Sequence, residues 1–290
     1  MQNTSRQGRQ GNFRRAWKAF TDGQFRDVQD SGNCMGLLAA EILIGFIVGT
    51  LIGLTGLGGG VLLLPTLIFG LHIPAIIAVG SDALFNFFTK IPASIMHLVK
   101  GTVRRKVVIA LSIGSIPGSY LGVTFLVHLR TVYGAGVNDF IKSAVGLLLV
   151  IIPTLLMFQG RIEDHLAHRQ PTMKNFAGMS LIGLIGGFLV GITSVGSGSI
   201  IMMMLLLFYS FAPKIMVGTD IAHAVILTGV TSLLHWRAGN VDPHLVMSLL
   251  IGSVPGGILG SHLSARVPVL WLRRILCTVL LMTGARMLWA

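Results

Sequence analysis

Apolar runs of about twenty residues recur from position 35 to the end of this chain, each long enough to cross roughly 30 Å of hydrocarbon. They fall near 36–71, 75–99, 107–128, 139–158, 177–211, 214–236, 244–264 and 268–288. A bilayer interior offers no water to exposed amides, so such runs predict helices. The runs at 36–71 and 177–211 exceed one simple crossing, and glycines interrupt both. Each predicts a broken helix or a re-entrant pair.

The pattern repeats itself at one ungapped offset of 138 residues, from Gly45 to Gly183. At the same offset Gly53 meets Gly191, Thr55 meets Thr193, and Gly58 and Gly60 meet Gly196 and Gly198. Val79-Gly80 meets Val217-Gly218, Asp82 meets Asp220, and His97 meets His235. Gly114-Ser115 and Pro117-Gly118 meet Gly252-Ser253 and Pro255-Gly256. A constant offset held over about a hundred residues is the mark of a duplicated unit.

Charge sets the expected topology. The tail carries Arg6, Arg9, Arg14, Arg15, Lys18 and Arg26; Lys100, Arg104, Arg105 and Lys106 form a second cluster; Arg161, Arg169 and Lys174 lie further on. Four net crossings in each half place all three groups on one side. Five would send the second cluster outside while the tail stays in, against the positive-inside rule. Arg266, Arg273 and Arg274 fit this arrangement poorly.

The expected fold is therefore an all-α polytopic membrane protein. It has two homologous four-crossing repeats with glycine-broken first helices, about eight net crossings, and both termini cytoplasmic at the inner membrane. Its parts are a basic tail at 1–34, a first repeat at 35–158, a connector at 159–176 and a second repeat at 177–290.

Composition sharpens this reading. Only 11% of residues are charged and 53% are hydrophobic, against about 25% charged in soluble chains. The formal charge of +12 resembles a nucleic-acid signature, but no folded reader accompanies it, and nucleic acid is not an expected partner. Phe13, Trp17, Phe20 and Phe25 interleave the basic tail, the composition of a segment lying on anionic lipid headgroups. Cys34 and Cys277 carry neither metal nor redox spacing. HExxH, GxSxG and Walker A signatures are missing, so an enzyme that hydrolyses nucleotide is not expected. No cofactor is expected, and a homo-oligomer is compatible with the sequence.

Two features carry chemistry. The first is the pair of glycine-rich breaks. One runs from Gly53 through Thr55, Gly56, Gly58, Gly59 and Gly60; its counterpart runs from Gly191 through Thr193, Ser194, Gly196, Ser197, Gly198 and Ser199. Where a helix restarts, free N–H groups and the positive dipole end favour an anion. Paired broken segments in matched positions of two repeats point to a transporter's binding site. Close helix packing is the competing account, since small residues also let membrane helices approach.

The second feature is a polar stripe on the following helix. Asp82, Asn86 and Lys90 are spaced i, i+4, i+8, with His97 at nearly the same angle. Asp220, Thr228, Thr231 and His235 form the matching face, with His223 to one side. Ionisable groups in membrane helices are costly and face bundle interiors or wet cavities. Lys90 either neutralises an anion or pairs with an acid across the bundle. The aspartates either carry a coupling proton or cap a restarting helix, and His97 and His235 either line a pathway or anchor at the interface. Three histidines with two aspartates could in principle hold a metal, though none has one-turn spacing.

At these residues the chain resembles the TauE/SafE family of sulfite and sulfonate exporters, also called four-transmembrane-duplicated permeases. The resemblance rests on Gly-Leu-Thr-Gly-Leu-Gly-Gly-Gly with Pro65, on Val-Gly-Thr-Asp at 217–220, and on His-x3-Gly-x-Val at 97–103 and 235–241. It covers roughly residues 36–289. Many members read Gly-Thr-Ser where this chain reads Gly-Ser-Asp and Gly-Thr-Asp, which marks an Asp-bearing branch. The resemblance implies a secondary exporter of a small anion such as sulfite or an organosulfonate. Thr55, Ser194, Ser197 and Ser199 are then the hydroxyl donors, Lys90 the counter-charge, and Asp82 or Asp220 the proton carrier. Two other readings stand beside it: an intramembrane metal-dependent enzyme, and an accessory protein that binds a partner helix.

Overall fold

The computed structural model of the chain describes residues 34–55, 60–166, 176–208, 213–263 and 269–289. The tail, with its six basic residues, lies outside them, as do Gly56, Gly58 and Gly59. Helix α1 spans Cys34–Thr55, and α2 spans Gly60–Pro65 and runs on as a π-turn over Thr66–Gly70. Then come α3 (Ala75–Val99), α4 (Arg105–Tyr133) and α5 (Val137–Leu166). The second half holds α6 (Phe176–Thr193), α7 (Ser199–Phe208), α8 (Pro213–Arg237), α9 (Pro243–Leu263) and α10 (Val269–Trp289). No strand occurs among the described residues. The duplication carries through to the elements, since both ends of α3 and α8 are separated by the sequence offset of 138.

Among the described residues, six helices are long and apolar enough to cross a membrane: Gly36–Leu54, Arg105–Tyr133, Val137–Leu155, Phe176–Thr193, Ile215–Arg237 and Pro243–Leu263. Helix α3 has 25 residues, or about 37 Å at 1.5 Å per residue, but Asp82, Asn86 and Lys90 dilute its apolar character. A lipid-facing surface is written twice. Ile109, Ile113, Ile116, Tyr120 and Leu121 are exposed along α4, and Met247, Ile251, Val254, Ile258 and Leu259 are exposed at the equivalent positions of α9. Water would penalise such continuous apolar stripes.

The halves are interleaved. Helix α1 packs on α9, α4 on α6, α3 on α8, and α5 on α10. Glycine at every fourth residue makes the first two pairs possible. Gly45, Gly49 and Gly53 of α1 lie against the backbone of α9, whose Gly252, Gly256 and Gly260 lie against α1. Gly114, Gly118 and Gly122 of α4 face α6, whose Gly183, Gly187 and Gly191 face α4. A Cβ added at Gly49 would stand 2.5 Å from the Ser253 carbonyl oxygen, and one at Gly191 would stand 2.8 Å from that of Ser119. These are the small-residue seams of membrane helix pairs.

The register of these contacts gives the helix directions. Residues 45, 49 and 53 meet 249, 253 and 257 in rising order, so α1 and α9 run the same way. Residues 111, 115 and 119 meet 183, 187 and 191, so α4 and α6 do too. Arg104, Ser115 and Ser119 bond Thr219, His223 and Thr231, which makes α4 and α8 codirectional. Gly80 meets Asn240 and His235 while Gly218 meets His97, so α3 and α8 are antiparallel. Equivalent helices of the two halves therefore run in opposite directions.

Helices α6 and α8 share a direction, so the chain must return between them. A Cβ at Gly186 would touch the Ile201 side chain, which shows α7 doubling back along α6. Helices α1 and α3 are likewise codirectional, with α2 in the returning stretch. The short limbs are interior: Leu63, Leu64 and Leu67 on one side and Ile201 and Leu205 on the other are fully buried. Irregular backbone at membrane depth is tolerated where protein covers it.

The expectation of four net crossings per half does not fit these directions. An even number would leave the halves in the same orientation, whereas an odd number inverts them. The sequence counted each long, glycine-broken run as an ordinary contribution to the crossings, but a hairpin that returns to its own side contributes none. The same directions place Lys100–Lys106 on the face opposite to the start of α1; the tail that was grouped with that cluster lies outside the described residues.

Candidate functional site

The second break is held by the stripe of the first half. Helix α6 ends as the Thr193 hydroxyl donates to the Leu189 carbonyl, at 2.7 Å. Ser194 then turns left-handed (φ 56°), as does Gly196 (φ 93°). A left-handed serine is uncommon, and here its side chain is fixed. The Ser194 hydroxyl donates to Asp82 Oδ2 at 2.7 Å. Three residues later, Lys90 Nζ donates to Ser197 Oγ at 2.7 Å. A Cβ added at Gly198 would lie 3.2 Å from Asp220 Oδ2 and 3.9 Å from Lys90 Nζ. The break thus threads between Asp82, Lys90 and Asp220, two of which come from α3 and one from α8.

Asp82, Asn86, Ser194, Gly196, Ser197 and Asp220 are buried, whereas Lys90 and Gly198 keep part of their surface open. The accessible part of the cluster is thus a cation beside a side-chain-free stretch of backbone, just before the start of α7. The leading N–H groups of a helix lack intrahelical acceptors. Asn86 donates through Nδ2 to the Asp82 carbonyl at 2.9 Å. Its Oδ1, with Asp82 Oδ1 and Asp220 Oδ1, has no hydrogen-bond partner among the described residues.

The histidines separate from this cluster. His223 bonds the Ser115 hydroxyl through Nε2 at 2.8 Å, and His235 Nε2 bonds the Gly191 carbonyl at 3.0 Å. Both are fully buried. Beyond it, Asn240 Nδ2 lies 3.5 Å from His235 Nδ1, and Arg130 Nη1 donates to Asn240 Oδ1 at 2.9 Å. His97 sits half-buried with Nδ1 2.9 Å from the Thr102 hydroxyl. Among the described residues no three His, Cys, Asp or Glu side chains come together as a metal-holding group.

The first break is described only at its edges, by Thr55 closing α1 and Gly60 opening α2. Ser199 opens α7 in the second half. The sequence reading missed Ser115, which it saw only as a repeat position, and it missed Ser119 and Glu41. Glu41 is the sole acid in the 36–71 run, and an acid in such a run is a signal by itself.

Comparison with known proteins identifies the family. The family described as Sulfite exporter TauE/SafE matches residues 41–287. A relative from Bacillus subtilis (strain 168), "Probable membrane transporter protein YjnA", is 37% identical over 85% of this chain and 98% of its own length. "Probable membrane transporter protein YunE" of the same organism is 25% identical over 86% of this chain and 96% of its own. "Probable membrane transporter protein MJ0441" of Methanocaldococcus jannaschii is 27% identical over 87% and 96%. No solved structure matches. With six membrane-length apolar helices and a family match over most of its length, this multi-pass membrane chain belongs to the sulfite exporter TauE/SafE family.

Proposed function

We propose that this protein is a secondary transporter of a small anion, of the sulfite or organosulfonate class, and not an enzyme. The observation that carries the reading is Lys90 of the first half donating to Ser197 in the break of the second half, at 2.7 Å. Ionisable groups within a membrane mark substrate pathways, and broken helices aim their N-terminal ends at anionic groups. The anion lies against Lys90, Asn86, Ser194, Gly196, Ser197, Gly198 and Ser199. Thr55, Gly56, Gly58, Gly59 and Gly60 supply the equivalent surface of the first break.

Charge counting adds coupling. Two aspartates and one lysine make a site of net charge −1 when all are ionised. An anion enters favourably only when at least one carboxylate is neutral, so Asp82 or Asp220 takes up a proton with the substrate. His223 and His235 hold the proton-carrying helix to α4 and to the end of α6, and His97 holds its own end beside Gly218. The halves form an inverted repeat with three net crossings each, six in all, around two re-entrant hairpins. Both termini then share one face, where the basic tail meets lipid headgroups. Positive charge is divided between the two faces, so the positive-inside rule does not rank them by itself.

The test is a ligand panel read by thermal stability of the purified protein. Sulfite, methanesulfonate and sulfoacetate are expected to stabilise the wild type, by about 2.7 kcal/mol at a hundredfold excess over Kd. Ser197→Ala is expected to weaken that response. Equal responses to simple carboxylates and sulfonates would contradict the substrate class, and no response to any anion would contradict the site.

A further inference from the structure

A second polar pair, away from the cluster just described, lies near the start of α1. Glu41 is five residues beyond Gly36, where the α1 span begins, or about 7.5 Å into it at 1.5 Å per residue. Its side chain is only 8% exposed, yet Oε2 has no hydrogen-bond partner among the described residues. Directly over it, His244 Nδ1 stands 3.9 Å from that oxygen, with 69% of the His244 side chain exposed. The two residues come from α1 and α9, whose glycine seam fixes them side by side.

The duplication does not repeat this pair. The equivalents of Glu41 and His244 are Met179 and Lys106, so only one face of the molecule carries it. A stranded carboxylate oxygen within a span costs several kcal/mol when nothing answers it. A purely structural residue at this position would be apolar, as Met179 is.

The pair also connects inward. Asp242 Oδ1 accepts from the backbone N–H groups of His244 and Leu245, at 3.0 and 3.2 Å. The Asp242 N–H donates to Ser81 Oγ at 3.0 Å, and Ser81 immediately precedes Asp82. These backbone contacts tie the segment that carries His244 to Ser81, the residue beside the central carboxylate. The groups facing Glu41 are His244, Asp242 and the Ser248 hydroxyl from α9. Helix α3 contributes Ser81 and Asp82 at the next remove. Helix α10, the other neighbour of α1, brings Arg286, whose guanidinium is committed over the Phe69 ring at 5.6 Å.

We propose that Glu41 and His244 form an entry station that delivers the coupling proton from one face of the membrane. Imidazolium Nδ1–H gives its proton to Glu41 Oε2, leaving neutral imidazole and a neutral carboxyl. Water then reprotonates the imidazole. The 3.9 Å gap is longer than a hydrogen bond, and one side-chain rotation or a single water closes it. This role rests on the reading of the protein as a proton-coupled anion transporter.

Two measurements test it. In proteoliposomes, sulfite flux by the wild type is expected to follow the pH of the face where α1 begins. Glu41→Gln is expected to lose that dependence while sulfite exchange at equal concentrations persists. His244→Ala is expected to slow pH-driven flux several-fold and leave exchange unchanged. Flux in Glu41→Gln that still follows pH on that face, or wild-type flux that follows sodium instead, overturns the proposal.

The second measurement needs no transport. A membrane-soluble carbodiimide is expected to label Glu41 several-fold more in acid than in alkali, with a pH profile displaced by His244→Ala. Labelling indifferent to both overturns the proposal, even where Glu41→Gln does not fold. Absence of any sulfite movement in the wild type counts instead against the anion reading, and the carbodiimide result still judges the pair.

Discussion

At the scale of single residues, the proposed function turns on Lys90. It is one of 22 basic residues, but it sits sixteen positions into a 25-residue helix, where a charge persists only with partners. Ser197 and the two aspartates are those partners. Lys90→Ala is expected to cut anion flux at least tenfold while the protein still purifies as a folded species, measured by initial rates in vesicles. Lys90→Arg should restore part of the rate, because charge returns but the fork geometry does not match a single hydroxyl. Ser194→Ala leaves Asp82 Oδ2 without its donor; removing one partner of a buried hydrogen bond to a charged group costs about 1–3 kcal/mol. A lowered thermal midpoint would register it. The stripe of Asp82, Asn86 and Lys90 was legible in the sequence, since i, i+4, i+8 spacing shows directly. Its partners were not, because Ser194 and Ser197 reach α3 across more than a hundred positions, and no periodicity encodes that.

At the scale of elements, the glycines do two different jobs that composition alone blends together. Those at 45, 49 and 53 and at 183, 187 and 191 are seams, and those at 196 and 198 belong to a turn. Packing and site were rival accounts of one glycine-rich run; close packing holds at the seam positions, and the site reading at the turn is the proposal made above. Gly187→Leu is expected to prevent assembly, because even a Cβ there collides with the Ser115 backbone. Overpacking a tight contact costs about 1–3 kcal/mol and more against rigid backbone. Loss of the monodisperse species on size exclusion would report it. Gly101→Ala meets no atom within 4 Å but sits at φ 66°. It should lower stability only slightly, by about 1 kcal/mol, with flux unchanged. The breaks were visible in the sequence, which left a broken helix and a re-entrant pair open, since a glycine run says that a helix stops and not which way the chain leaves.

At the scale of the whole molecule, inversion follows from that return. The duplication was plain at a single offset, whereas its handedness depended on counting crossings, and charge counted them wrongly because basic residues are spread over both faces. Cysteines placed at Lys100 and at Ala238, its equivalent at the offset of 138, are expected to react with an impermeant maleimide from opposite sides of the membrane. Labelling from the same side would contradict the inverted arrangement. An inverted pair around two breaks is an architecture for alternating access, and it has a purpose here only if an anion passes Lys90. The most direct test is sulfite flux into vesicles containing the purified protein, wild type against Lys90→Ala. The account predicts saturable flux in the wild type and near-background flux in the variant; equal rates in both, or no saturable flux in the wild type, would contradict it.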